Sequence, residues 1–174
     1  PIYLEYIQSI KNEKCKTTNV RMRDSPLSIG GAKLYFLYPT ETFIDKDTTH
    51  AHENLNNTSV VFKLCFGETS ILFTGDAERE SEEEMIRLHG NFLEATILKT
   101  GHHGSITSST EEFVNLVKPK YAIISCGLNN KFNHPSEDVL ERLRAMNVET
   151  LRTDEEGAII FETNGEKFER IEWR

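Results

Sequence analysis

Cysteine is scarce in this chain: Cys15, Cys65 and Cys126 are its only thiols. Their number is odd and they lie far apart. That excludes a disulfide framework and a zinc knuckle, and it reads as free thiols in a reducing, cytoplasmic compartment. No apolar run approaches the length of a membrane span, and no secretory leader pattern is present. Basic charge is not in excess either: 20 Lys and Arg face 28 Asp and Glu, a formal net charge of -8. This argues against a non-specific nucleic-acid surface, but not against a nuclease, because bound cations reverse the local field. No Gly-x-Gly-x-x-Gly or Gly-x-x-x-x-Gly-Lys-Ser run occurs, which argues against a Rossmann-like domain or a P-loop. Internal repeats and low-complexity linkers are missing too. With 174 residues, 37% hydrophobic and 28% charged, the chain reads as one globular domain with a real core.

What is there is an alternation of elements. Tyr3 to Ile10 has helical apolar spacing and starts without a cap. Cys15 to Arg23 is polar, with room for a short strand, and Ser25 to Gly31 is turn chemistry. Lys33 to Tyr38 reads as a strand stopped by Pro39, and Thr40 to Asn57 as a long polar loop. Ser59 to Phe66 and Ser70 to Thr74 read as a hairpin joined across Gly67-Glu68-Thr69. A helix over Glu78 to His89 ends at Gly90. Thr96 to Leu98 is a strand, and Ser109-Thr110-Glu111-Glu112 fits a capping box for a helix that Pro119 ends. Tyr121 to Ser125 is a strand, and Pro135 to Met146 a helix with proline in its first turn. Val148 to Arg152, Ala158 to Phe161 and Phe168 to Trp173 are further strands. Hairpins followed by strand–helix alternation predict an α/β fold with a mixed sheet.

Three strand-to-helix junctions carry chemistry. Ile71 to Asp76 is an apolar strand that delivers a carboxylate through a glycine, directly before a helix. Such a carboxylate is favoured in its ionised form and can bridge divalent cations; the plain alternative is an N-cap aspartate. His102 and His103 follow the apolar Ala95 to Leu98, flanked by Gly101 and Gly104. Neutral imidazole is a common metal ligand and a general acid or base; the plain alternative is one buried and one exposed histidine. His134 sits where an N-cap would, before Pro135. The helix dipole there disfavours imidazolium, which suits metal ligation or contact with an anionic substrate. His50-Ala51-His52 lies in a polar loop that no strand delivers, and is read as loop polarity. The run Glu80 to Glu84 is read as a solvated helix face, and His89 as a favourable end charge.

Taken in order, the motifs resemble a known family. Asn56-Asn57-x-Ser59, Phe73-Thr74-Gly75-Asp76-Ala77-Glu78, Leu98-Lys99-x-Gly101-His102-His103-Gly104-Ser105, Ser125-x-Gly127-x-Asn129, His134-Pro135, and Arg152-Thr153-Asp154 with Gly157 look like the later part of a metallo-β-lactamase-fold domain of the ComEC type, found in competence DNA-uptake proteins. The resemblance runs from about Asn56 to Ile160. It implies an αββα sandwich and a site for two divalent metals, zinc or manganese. Asp76 would bridge the metals, His103 and His102 would be ligands, and His102 and His134 would serve as acid or substrate contacts. Asn57 and Ser59 would support the site. The implied activity is a phosphodiesterase or nuclease acting on nucleic acid or another phosphoester; a non-catalytic binding or regulatory module is the alternative. The family's His-x-His-x-Asp-His motif, expected upstream, is absent. The resemblance therefore implies the later portion of a domain, with part of the first αβ half missing. An upstream segment, a partner chain or a homodimer would complete the site. Failing that, the chain is a degenerate relative. The uncapped start favours a portion of a longer protein.

Overall fold

The computed structural model describes residues 2–13, 20–22, 25–40 and 55–172. Cys15, the His50–His52 stretch, most of the Thr40 to Asn57 loop and Trp173 lie outside the described residues. Helix α1 spans Ile2–Asn12.

Strands β1 (Leu27–Ile29), β2 (Ala32–Tyr38), β3 (Val61–Phe66) and β4 (Thr69–Phe73) form an antiparallel meander. From β4 onward the pairing turns parallel, through β5 (Ile97–Lys99), β6 (Tyr121–Ile124) and β7 (Glu149–Arg152). Together they make one seven-stranded mixed sheet in chain order. The connections match: short turns join β1 to β2 and β3 to β4, a long connection joins β2 to β3, and each parallel step carries a crossover. The crossovers carry helices α2 (Arg79–His89), α3 (Glu111–Val117) and α4 (Glu137–Ala145). A one-turn helix α5 (Thr153–Glu156) follows β7, and β8 (Ile160–Thr163) and β9 (Phe168–Ile171) form a separate two-stranded sheet. The α/β class with a mixed sheet, read from the sequence, is what the chain adopts.

Register explains where the core lies. Tyr35, Lys63, Leu72, Leu98 and Ala122 are cross-strand partners and therefore share one face. Against that face pack Met85 of α2, Phe113, Val114 and Val117 of α3, and Val139 and Leu143 of α4, all buried. Lys63 escapes by running its stem to the edge, where Nζ donates to the Phe92 carbonyl at 2.9 Å. The opposite face carries a ladder of Phe36, Phe62 and Phe73, with ring centroids 6.0 and 4.7 Å apart, and Phe161 of β8 against Tyr121 at 5.0 Å. Burying one Leu or Phe side chain is worth ~1.5–3 kcal/mol. Most of the fully buried residues lie under the helices, with Ile97 the fully buried exception on the other face, so the helix-covered layer carries most of the stability.

Several local readings need correction. The Ser25 to Gly31 turn is shorter than its composition suggests: Leu27–Ile29 pairs back on β2 across Gly30 and Gly31. The end of the polar loop is a 3-10 turn, Leu55–Thr58. Helix α3 is capped by Thr110, not by the Ser109 of the expected capping box. The reason is Glu82, whose buried carboxylate takes the N–H groups of Ser109 (2.6 Å) and Thr110 (2.8 Å). Burial pushes the Glu82 carboxyl above its ordinary range, against those backbone donors. Helix α4 is capped by Ser136, which leaves Pro135 outside the first turn and His134 two residues before the cap. Serine wins because its hydroxyl accepts from the Val139 N–H. Likewise the cap of α2 is Glu78, not Asp76.

Candidate functional site

The parallel strands β4, β5 and β6 end at one edge of the sheet, and the turns beyond them meet there. Open α/β sheets bind ligands at this edge. The turns are tied by hydrogen bonds. Thr74 Oγ1 donates to the Lys99 carbonyl at 2.6 Å, and Lys99 Nζ (2.9 Å) and His102 N–H (3.2 Å) both donate to the Gly75 carbonyl. Burial lowers the Lys99 ammonium's pKa, and the Asp76 charge partly offsets this. Asp76 N–H donates to Ser59 Oγ at 3.0 Å.

Two glycines make the approach close enough. A Cβ on Gly101 would lie 2.4 Å from the Ala77 carbonyl oxygen, and one on Gly104 would lie 2.7 Å from Pro135 Cβ. The Gly104 carbonyl also accepts from Ser136 N–H at 2.9 Å. Between them, His102 (φ 41°) and His103 (φ 55°) are themselves left-handed. Non-glycine residues occupy that region rarely and at a cost, and consecutive cases cluster at functional sites.

His103 is oriented by its inner nitrogen. Nδ1 lies 2.6 Å from the Ser125 carbonyl oxygen, so it carries the proton and donates it. The ring's other nitrogen, Nε2, lies 3.5 Å from Asp76 Oδ1. For two ligands bound at ~2.05 Å to one tetrahedral ion, the ligand–ligand separation is about 3.4 Å. The pair therefore fits two corners of a zinc or manganese coordination sphere. An inner N–H on a carbonyl, with the other nitrogen facing outward, is the arrangement that metal-ligating histidines use.

His102 is held in the same manner by a carboxylate. Its Nδ1 lies 2.7 Å from Glu78 Oε1 and donates to it. The Asn56 amide, 3.4 Å from that nitrogen, therefore donates instead to Glu78 Oε1, at 3.0 Å. Asn57 Oδ1 accepts from Glu78 N–H (3.0 Å) and Ser81 Oγ (2.7 Å), which fixes the start of α2 under the histidine. His134 completes the group, its ring centroid 5.3 Å from that of His102; the centroids of His102 and His103 are 6.3 Å apart. Burial, then the neighbouring His102 and His103, lowers the His134 pKa, which keeps the ring neutral at neutral pH.

Asp76, His102, His103 and His134 are thus neighbours on one edge. Among the described residues no three His, Cys, Asp or Glu side chains are grouped as a complete metal site. Donor chemistry and tautomer fit a divalent ion at Asp76 and His103; the donor number falls short. Beside them opens a cleft of about 310 Å³, lined by His103, Ser125, Cys126, Gly127, Asn130, Phe132 and His134.

Sequence reasoning missed three participants. Glu78 was legible only as the start of an acidic helix, although an acid two residues after Asp76, at a cap position, was a usable signal. Asn56 lay in an apparent loop. Cys126 read only as a free thiol, yet its Sγ donates to Asp154 Oδ1 at 3.1 Å, and Asp154 is also gripped by Arg152 (2.7 Å).

The chain's similarities agree with this picture. The metallo-beta-lactamase superfamily profile matches residues 36–128. ComE operon protein 3 of Bacillus subtilis (strain 168) is 44% identical over 104 residues, which are 60% of this chain and 13% of that protein. Competence protein ComA of Neisseria gonorrhoeae is 42% identical over 106 residues, 61% of this chain and 15% of that protein. Recombination protein 2 of Haemophilus influenzae is 41% identical over 88 residues, 51% of this chain and 11% of that protein. The chain thus spans between 11% and 15% of the length of these relatives. Among the described residues no helix is long and apolar enough to cross a membrane. With a profile covering more than half of its residues, the chain belongs to the metallo-beta-lactamase superfamily, and competence proteins are among its relatives.

Proposed function

We propose that this chain carries part of the site of a divalent-metal-dependent phosphodiester hydrolase acting on nucleic acid. One observation carries the reading: His103 Nε2 and Asp76 Oδ1 stand 3.5 Å apart while the other nitrogen of the ring is committed to the Ser125 carbonyl. An imidazole nitrogen and a carboxylate oxygen at that separation can occupy two corners of one cation's coordination sphere. The relatives' names, which refer to competence and recombination, favour nucleic acid over the amide and thioester bonds of other superfamily members.

When bound, zinc or manganese supplies hydroxide at neutral pH and polarises the phosphoryl group. The chain's own groups have separate tasks. Asp76 and His103 hold the cation. Glu78 fixes the tautomer of His102, so that its Nε2 faces outward as a ligand or a proton acceptor. His134, kept neutral, offers an N–H to a phosphoryl oxygen or to the leaving group.

The test is hydrolysis of bis(p-nitrophenyl) phosphate by the full chain with Mn2+. Turnover above the metal-only background, reduced at least ~100-fold in Asp76→Asn and His103→Ala, is the expected result. Turnover equal in all three proteins refutes the assignment. A second reading, a binding module that keeps the fold without chemistry, is favoured by the missing third donor among the described residues. Absence of turnover together with unchanged metal content in a His102→Ala/His103→Ala variant supports that reading.

A further inference from the structure

The cleft next to His103 and His134 has polar walls whose polar atoms are already committed. Asn130 spends its whole amide on its own loop. Its Nδ2 donates to the Gly127 carbonyl (3.0 Å) and the His134 carbonyl (2.6 Å), and its Oδ1 accepts from the N–H groups of Phe132 (3.2 Å) and His134 (3.0 Å). The Cys126 thiol is given to Asp154, and Thr153 Oγ1 ties both ends of the Cys126 peptide, accepting from its N–H (2.9 Å) and donating to its carbonyl (2.8 Å). His103 Nδ1 is spent on Ser125. Among the described lining groups, little remains to read a hydrogen-bonding pattern, and the loop is fixed in shape before anything binds.

The apolar part of the wall is Phe132. It is 66% exposed, an uncommon position for a phenylalanine on a loop held by four hydrogen bonds. Its ring runs nearly parallel to that of His134, at 18° and 5.8 Å between centroids. Lys131 Nζ lies over the Phe132 ring, 4.9 Å from its centroid, and would swing aside to meet a phosphate when a base takes that face. An exposed aromatic ring next to a lysine, opening on a phosphoester site, is the combination that holds single-stranded nucleic acid by stacking. The volume, about 310 Å³, is at the lower end of ligand pockets. It suits one base with its sugar and excludes a duplex.

We infer that this cleft receives the nucleobase adjoining the scissile phosphate, with Phe132 as its stacking wall, and that it accepts any base. The inference rests on the phosphodiester reading above. It makes Phe132 and Lys131 substrate-binding residues and makes single-stranded nucleic acid the substrate.

The test measures binding by fluorescence anisotropy, with the full chain, Mn2+ and two labelled strands of equal length: oligothymidylate and its abasic analogue. The wild type is expected to prefer the strand with bases about 5- to 150-fold, the ~1–3 kcal/mol of one base–aromatic stack. Oligoadenylate should bind within a few-fold of oligothymidylate. Phe132→Ala should bring the preference to about twofold or less, and Phe132→Trp should restore it. The ring is exposed, so circular dichroism spectra of the variants should match the wild type. Equal binding of both strands by the wild type, or a preference that survives Phe132→Ala, overturns the stacking wall and leaves the phosphodiester reading standing, since the abasic strand reports backbone recognition alone. Failure to bind either strand overturns both.

Discussion

Replacing Gly104 by alanine tests the packing that brings the histidine turn against the His134 loop. Two costs add. The backbone there has φ +79°, a left-handed conformation that disfavours a side chain by ~1–2 kcal/mol. The new methyl would also lie 2.7 Å from Pro135 Cβ and 3.3 Å from Ile124 Cγ2. These neighbours are a proline ring and a fully buried strand residue, so neither can move freely, and overpacking of this kind costs ~1–3 kcal/mol. The sum is ~2–5 kcal/mol. For a chain of this size that lowers Tm by roughly 4–20 °C. Two other glycines supply the scale. Gly90 has φ +49° and nothing within 4 Å of where a methyl would stand, and Gly127 has open space and no left-handed φ. Gly90 (φ 49°, ψ -133°) lies in a region almost confined to glycine, so Gly90→Ala should cost the backbone term alone, ~1–3 kcal/mol. Gly127→Ala should be neutral or stabilising, by up to ~1 kcal/mol. Urea unfolding of the three variants measures the order. A Gly104→Ala protein as stable as Gly90→Ala would refute the claim that contact with Pro135 holds the two turns together.

Two further outcomes follow from the polar contacts. Glu78→Gln removes the negative partner of His102 Nδ1 while keeping an oxygen there, and Mn2+ affinity by isothermal titration should fall ~10–100-fold, as it does when a ligand's supporting group is lost; an unchanged affinity removes His102 from the metal's surroundings. Burial, then the hydrogen bond to the Asp154 carboxylate, pushes the Cys126 thiol up to about 11. The reactive thiolate is scarce below that pH, so near pH 8 alkylation should run ~100-fold slower than for an ordinary thiol and should rise with pH toward the shifted value. In a background with Cys15 and Cys65 replaced by serine, Asp154→Asn should lower the thiol's pKa and speed the reaction. An alkylation rate unaffected by Asp154→Asn would remove the carboxylate as a cause.

Much of the architecture is visible in the residues because local signals and tertiary demands agree. The strand Ile71 to Phe73 running into Gly75-Asp76, and the apolar run before Gly101-His102-His103-Gly104, carry period, turn chemistry and site chemistry in one stretch. The parallel half of the sheet follows from the helices between its strands. Failures occurred where a distant partner overrode a local preference. Ser109 looked like the better capping-box start, but the buried Glu82, 27 residues earlier in the chain, claims its N–H. Pro135 looked like a first-turn proline, but it is spent against Gly104, and Ser136 caps the helix. The left-handed conformation fell on both histidines as well as on Gly104, while Gly101 is needed for its missing side chain. Glu78 was unreadable as a partner of His102 because the contact joins two turns 24 residues apart.

The central claim is that Asp76 and His103 share one cation. Native mass spectrometry of the full chain titrated with Mn2+ or Zn2+ measures this directly. The sequence holds no His-x-His-x-Asp-His run, so the prediction is at most one tightly bound equivalent, lost in both Asp76→Asn and His103→Ala. Two tightly bound equivalents, or one that survives both substitutions, would contradict it.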